Sequence, residues 1–274
     1  MEYSPQLQTM YKIARAAGQQ IMEVYESSAP MEIATKGDES PLTEADRRAH
    51  KLIVDALSGL PHRLPILSEE SEAIAFDERS GWQTYWLVDP LDGTKEFISR
   101  NGEFTVNIAL IESGIARAGV VYEPVAGFSY VGELGYGAWK IEPEGLAERI
   151  FPTTLTPDHQ CLRVVASRSH MGKLEQQILA RLRERFKDLE IVNMGSSLKF
   201  CLLAEGEADF YPRLAPTSEW DTAAAHAVLR AAGGDVVTSD FLPLRYNQKA
   251  ELINPHFMAM ADASFDWREI IQQP

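Results

Sequence analysis

The feature that most constrains this chain is an apolar run that stops on two carboxylates: Tyr85-Trp86-Leu87-Val88, then Asp89-Pro90-Leu91-Asp92-Gly93-Thr94. Apolar residues in unbroken succession read as a buried strand, expected to end where the polar residues begin. Pro90 fixes the backbone between Asp89 and Asp92, and Gly93 admits the angles of a tight turn. Thr94 to Phe97 read as the opening of a helix or a short helical bend. The segment therefore gathers two carboxylates, the Leu91 carbonyl and the N–H groups of a helix start in one small volume. Carboxylate and carbonyl oxygens bind hard cations such as Mg2+, and helix-opening N–H groups bind phosphate. Asp-Pro and Asp-Gly are also ordinary turn signals, so a plain loop stays open as the second reading.

The rest of the chain bounds what that segment can serve. At 274 residues, 45% hydrophobic and 24% charged, the chain can bury a sizeable core as one large domain or two small ones. A net charge of −14 argues against coating polymeric nucleic acid, which needs a basic face. It leaves room for a small anionic substrate, because bound cations reverse the local sign. Cys161 and Cys201 form no framework of spacings, the N-terminus lacks a basic-then-apolar signal pattern, and no apolar run is long enough to span a bilayer. A cytoplasmic protein is the expectation.

Helical spacing of Leu7, Met10, Ile13, Ala14, Ala17, Ile21 and Val24 predicts a helix over 5–26, capped by Ser4 and opened by Pro5. Residues 35–42 read as a turn or loop. Thr43 opens a second helix with Ala49, Ile53, Val54 and Leu57 facing the core, and 64–67 form a short strand ending in Ser68-Glu69-Glu70. Strands over 103–111, 115–123, 127–133 and 136–141 suggest an antiparallel meander. The polar stretch 142–160, with its prolines, reads as a linker between an N-terminal half, 1–145, and a C-terminal half, 160–274. In the second half strands (162–166, 191–194, 208–213, 235–238, 257–261) alternate with helices (172–186, 196–205, 219–231, 263–271), which suggests an α/β layer arrangement.

Acidic or hydroxyl positions stand near the ends of these elements: Asp46, Glu69 with Glu70, Asp89 with Asp92, Thr94 and Asp221. Ends of strands are the usual place for sites in α/β layers. Asp46 and Asp221 also lie three residues after Thr43 and Ser218, so each equally reads as a capping-box acid. Glu69-Glu70 also reads as a solvated acidic turn.

Three motifs then make a resemblance plain: Ser68-Glu69-Glu70, Asp89-Pro90-Leu91-Asp92-Gly93-Thr94 and Trp220-Asp221-Thr222-Ala223-Ala224. In this order and spacing they resemble the inositol monophosphatase superfamily, over essentially the whole chain. That resemblance implies a layered α+β sandwich in an αβαβα arrangement. Lys95-Glu96-Phe97-Ile98 and Asn101 to Asn107 resemble the bacterial CysQ branch, whose members are 3′(2′),5′-bisphosphate nucleotidases; inositol monophosphatases proper usually carry Thr-Asn in place of Lys95-Glu96.

The resemblance implies two or three Mg2+ ions held by Glu69, Asp89, the Leu91 carbonyl, Asp92 and Asp221. It implies water attacking phosphorus in line, with Asp46 and Thr94 orienting that water and taking its proton. Glu69, Leu91, Asp92, Gly93, Thr94 and Asp221 would also touch the substrate, with the N–H groups of Gly93 and Thr94 on its phosphate. In the second half His170, Gly195 and Lys199 are the implied contacts; Lys95 and Arg213 are further candidates. The implied activity is hydrolysis of adenosine 3′,5′-bisphosphate to AMP and phosphate, linked to sulfate assimilation and sensitive to Li+. The alternatives are a phosphatase for inositol monophosphate or a sugar bisphosphate, and a non-catalytic phosphonucleotide sensor. The expected partner is a small phosphonucleotide, with a homodimer left open, and the resemblance admits a peripheral location on the cytoplasmic side of the inner membrane.

Overall fold

Ser4 and Pro5 open the first helix as their chemistry dictates. The Ser4 hydroxyl accepts from the Leu7 N–H at 3.0 Å, and Pro5 takes the first helical position, where no N–H is needed. The computed structural model describes residues 3–27, 33–35, 41–166 and 172–271.

In chain order the N-terminal elements are α1 (Pro5–Tyr25), β1 (Ile33–Thr35), β2 (Pro41–Thr43), α2 (Glu44–Ser58), β3 (Ile66–Ser68), α3 (Phe76–Arg79), β4 (Thr84–Asp92), α4 (Thr94–Ser99), β5 (Thr105–Glu112), β6 (Ile115–Tyr122), β7 (Ser129–Glu133), β8 (Gly137–Ile141) and β9 (Ala147–Arg149). The second half adds β10 (Cys161–Val165), α5 (Lys173–Arg185), β11 (Asp188–Val192), α6 (Leu198–Ala204), β12 (Phe210–Arg213), α7 (Glu219–Ala232), β13 (Asp235–Thr238), β14 (Phe257–Met260) and α8 (Trp267–Ile271).

Strands β3 to β9 lie in sequence order in one seven-stranded sheet, antiparallel except for the parallel β3–β4 pair. A second sheet has the order β11-β10-β12-β14-β13. Alternation along β5 explains why the large sheet is covered twice. Val106, Ile108 and Leu110 pack with α1 and α2 on one face, while Ala109 and Ile111 pack with α6 and α7 on the other. The smaller sheet shares the α6–α7 core and packs its outer face on α5 and α8. The layers therefore run helix, sheet, helix, sheet, helix, the αβαβα arrangement.

Helix α7 lies unusually close to the large sheet. Its buried residues include Ala223, Ala224, Ala225 and Ala227, and a Cβ added at Gly119 of β6 would sit 2.1 Å from the Ala224 carbonyl oxygen. Small residues on both surfaces thus set the height at which the N-terminus of α7, and Asp221 with it, meets the end of β4.

Four departures from the sequence reading have physical causes. Strand β4 does not stop at Val88. Its ladder with β5 is irregular between Asp89 and Asp92, where Pro90 has no N–H to give, and resumes at Asp92 opposite Thr105. The stretch read as a linker contains β9, an edge strand whose half-exposed to exposed residues Ala147, Glu148 and Arg149 give no apolar alternation. Pro41–Thr43 is a strand paired with Ile33–Thr35, not loop. The last helix begins only at Trp267, because Asp262 and Ser264 form a hydrogen-bonded turn before it.

Candidate metal and phosphate site

Strand β4 delivers the first acids. Asp89 is buried at 1% exposure, and its Oδ1 accepts from the Leu91 N–H two residues on, at 3.0 Å. That local bond holds the bulged strand end in shape. Gly93 has φ of 94°, a left-handed turn that only glycine takes without strain, and α4 starts at the next residue. The first N–H groups of α4 are therefore not consumed by the helix's own bonds.

The parallel partner strand brings the next acid. The Glu69 N–H bonds the Val88 carbonyl at 3.1 Å, so pairing of β3 with β4 carries on into Glu69 and sets its carboxyl against Asp89. Helix α7 brings the last one. Asp221 accepts from the Ser218 N–H at 2.8 Å, as the capping reading expects, and oxygens of Asp89, Asp92 and Asp221 all lie within 4.8 Å of one another.

Burial and crowding together push these carboxyls up from their ordinary values. Burial first, then Glu69, Asp92 and Asp221, hold the Asp89 carboxyl well above the ordinary aspartate range. Asp92 is pushed up to about 6 by burial, against the pull of Lys199 and the Ser197 N–H. Asp221 is pushed up to about 8 by burial and the Asp92 charge. Carboxylates held this close must share protons or a cation. An all-oxygen donor set at the wall of a cleft fits a hard divalent ion better than a soft one.

Asp46 is held differently. Its Oδ2 accepts from the Thr43 N–H at 2.7 Å and the Thr43 hydroxyl at 2.5 Å, and its Oδ1 accepts from the Thr94 hydroxyl at 3.3 Å. The Thr94 hydroxyl also lies 3.4 Å from the Leu91 carbonyl oxygen. A buried carboxylate, a hydroxyl and a carbonyl thus form one chain beside the acidic cluster.

A cleft of about 250 Å3 opens from the acids toward the second half, lined by Asp92, Gly93, Glu96, Lys199, Arg213 and Asp221 among others. Lys199 donates to the Ser196 carbonyl at 2.9 Å; burial draws its ammonium below the ordinary lysine range while the Asp92 charge pulls the other way. Arg213 bonds the Pro216 carbonyl at 3.3 Å. Gly195 packs on Glu103, where a Cβ would come within 2.7 Å of the Glu103 side chain. Lys95 is exposed on α4 and is not among the residues lining the cleft. His170 lies outside the described residues.

The model of the inositol monophosphatase family matches residues 2–265. The chain belongs to that family. Among family members it is similar to the 3′(2′),5′-bisphosphate nucleotidase CysQ of Escherichia coli K12, 47% identical over 92% of this chain and 98% of that one. The CysQ of Salmonella typhimurium is 48% identical over the same shares. Among solved structures, CysQ from Bacteroides thetaiotaomicron, a bacterial member of the inositol monophosphatase family, superposes with a TM-score of 0.81 at 43% identity, covering 96% of this chain and 99% of that one. The suhB protein of Bartonella henselae shares the fold at a TM-score of 0.77 and 24% identity, covering 98% of this chain and 99% of that one.

Within this family site, sequence reading missed three buried polar residues. Ser197 donates its N–H to Asp92 at 2.6 Å, and Thr105 and Asn107 of β5 bond the Ser197 hydroxyl. The signal was present: Thr105 and Asn107 interrupt the apolar run of a central strand, where a polar side chain must find a partner. Phe200, Tyr211 and Phe257, which line the cleft as a mutually packed aromatic group, were read only as parts of a helix and two strands. Among the described residues no helix is long and apolar enough to cross a membrane.

Proposed function

We propose that this chain is a Mg2+-dependent 3′(2′),5′-bisphosphate nucleotidase that hydrolyses adenosine 3′,5′-bisphosphate to AMP and phosphate. The observation that carries the reading is the cleft itself, lined by the carboxylates of Asp92 and Asp221 together with the cations Lys199 and Arg213. A monophosphate needs only the acids and the cation they would hold. Two further positive charges match a substrate with a second phosphate. The chain-long likeness to proteins named 3′(2′),5′-bisphosphate nucleotidase points the same way.

Glu69, Asp89, the Leu91 carbonyl, Asp92 and Asp221 would hold the metal. Bound there, Mg2+ supplies Lewis-acid polarisation of the phosphoryl oxygens and a lowered pKa for the attacking water. The protein's own groups do the rest. Asp46, through the Thr94 hydroxyl, orients the incoming water and accepts its proton. The N–H groups of Gly93 and Thr94 hold the phosphoryl oxygens at the opening of α4. Lys199 and Arg213 hold the second phosphate, which fixes the scissile bond against the acids, with His170 and Gly195 as further contacts. The halves 1–145 and 160–274 act on this reading as one phosphatase, the first carrying most of the acids and the second the selectivity. The natural setting is the cytoplasm, removing a by-product of sulfate assimilation.

Phosphate release from adenosine 3′,5′-bisphosphate and from inositol 1-phosphate tests this. The expected result is preference for the bisphosphate, with a rate abolished by EDTA. Lys199→Ala is expected to raise KM for the bisphosphate more than for adenosine 3′-monophosphate. Preference for inositol 1-phosphate overturns the substrate assignment, and a tightly bound substrate with no turnover makes the protein a sensor.

A further inference from the structure

The loop 195–199 does more than carry Lys199. At Ser196 the backbone takes φ of 44°, a left-handed conformation that a non-glycine residue adopts only when its surroundings hold it. That turn sends the Ser196 carbonyl to Lys199 at 2.9 Å and the next N–H, of Ser197, to Asp92 Oδ2 at 2.6 Å. Ser197, Thr105 and Asn107 are each 1% exposed or less. Their hydrogen bonds close into a ring. The Thr105 hydroxyl lies 2.9 Å from the Ser197 hydroxyl, 3.2 Å from Asn107 Oδ1 and 3.5 Å from Asp92 Oδ2; the Ser197 hydroxyl donates to Asn107 Oδ1 at 2.8 Å, and the Asn107 amide reaches Asp92 Oδ2 at 3.5 Å. With Thr105 donating along its shortest contact, to Ser197, every hydroxyl proton is used once, and two N–H donors converge on one oxygen of Asp92. Among the described residues, no hydrogen bond is made to Asp92 Oδ1.

We propose that Ser197 is a positioning residue, latched by Thr105 and Asn107 of β5, that holds Oδ2 of Asp92 so that Oδ1 is presented to the cation. The latch joins the loop bearing Lys199 to a carboxylate of the acidic cluster, so the segment that meets the substrate's second phosphate also sets the aim of a metal ligand. Outer partners of this kind orient ligating carboxylates, and their loss costs about 10- to 100-fold in metal affinity. The inference rests on the reading of Asp92 as a metal ligand.

The test is a titration of the full-length protein with Mn2+, following free Mn2+ by electron paramagnetic resonance. Ser197→Ala and Thr105→Val, which delete one hydroxyl each, are expected to weaken Mn2+ binding about 10-fold. Thr105→Ser, which keeps the hydroxyl, is expected to bind as wild type does. At saturating Mn2+ the kcat of Ser197→Ala is expected to return to near wild type, because every ligand is still present; a general packing defect would not be cured in this way. If Ser197→Ala shows no cooperative melting transition, Thr105→Val against Thr105→Ser decides the matter. Unchanged Mn2+ affinity in both deletion variants overturns the latch. Asp92→Asn separates the two readings: if it binds Mn2+ as wild type does, the assignment of Asp92 as ligand falls, and the latch falls with it.

Discussion

Thr43 caps helix α2 with Asp46 in its first turn, and Ser218 caps helix α7 with Asp221 in its first turn. In both, the acid three residues in accepts the cap residue's N–H, at 2.7 and 2.8 Å. The local motif is the same, yet the two carboxyls meet different neighbours. Oδ1 of Asp46 faces the Thr94 hydroxyl, whereas Asp221 lies within 4.8 Å of Asp89 and Asp92 and is pushed up to about 8. A capping box fixes a carboxylate with local hydrogen bonds and so holds it rigidly against whatever the fold sets beside it. On the proposed reading, what the tertiary fold sets opposite each carboxyl decides its chemistry: beside a hydroxyl Asp46 would act as proton acceptor, and beside two more carboxylates Asp221 would help hold a cation. Structural and functional readings of such an acid are therefore not rivals.

Breaking the two acids in turn separates the roles. Asp221→Asn keeps an oxygen for the Ser218 N–H but removes the charge, so turnover is expected to fall about 1,000-fold, the several kcal/mol that a bound cation contributes to charge stabilisation. Metal affinity, measured by calorimetry, is expected to fall with it. Asp46→Asn is expected to lower kcat about 100-fold, at the lower end for a lost general base, with metal affinity nearly unchanged. Equal loss of metal binding in both variants would erase the distinction between the two helices.

The pH dependence of stability sharpens the comparison. Asp92 and Asp221 stand at about 6 and about 8 in the fold, above the ordinary aspartate value of 3.8. A carboxyl raised in the folded state contributes its stability fully below its unfolded pKa and loses it as pH rises through the folded value. In EDTA, wild type is therefore expected to lose melting temperature relative to Asp221→Asn as pH climbs from 4 to 8, at about 2–4 °C per kcal/mol for a chain of this size. His226, whose pKa burial lowers, acts in the opposite sense at the acid end and is common to both proteins, so it cancels in the difference. The smallest effect is expected from the caps. Thr43→Ala removes a hydroxyl that accepts from Ala45 and donates to Asp46, costing about 1 kcal/mol of stability and some rate. Ser218→Ala keeps the N–H on Asp221 and is expected to leave the rate nearly unchanged.

How much of this was legible from residues alone follows the same division. Elements with a strong period were readable: α1, the β5–β8 meander and the Ala-rich α7 announce their buried faces. So were the acids, because each falls at the end of an element. The motif resemblance supplied their grouping, which no spacing fixes. The end of β4 was not readable, since its bulge depends on ladder bonds with Thr105 and Asn107. Strand β9 lacks alternation, and the left-handed turn at Ser196 needs no glycine. Ser197 was invisible as a partner of Asp92 because the bond uses its backbone N–H, which every non-proline residue carries.

On the proposed reading, carboxyls from β4 and α7 share protons until a divalent cation replaces them. The most direct measurement is a calorimetric Mg2+ titration near pH 7 in buffers of different ionisation enthalpy, which counts protons released per ion bound. With Asp221 at about 8 and Asp89 also held well above the ordinary aspartate range, at least one proton is expected to leave per ion bound at pH 7 in wild type, and fewer in Asp221→Asn. Mg2+ binding at pH 7 with no proton release, or a release that Asp221→Asn leaves unchanged, would contradict it.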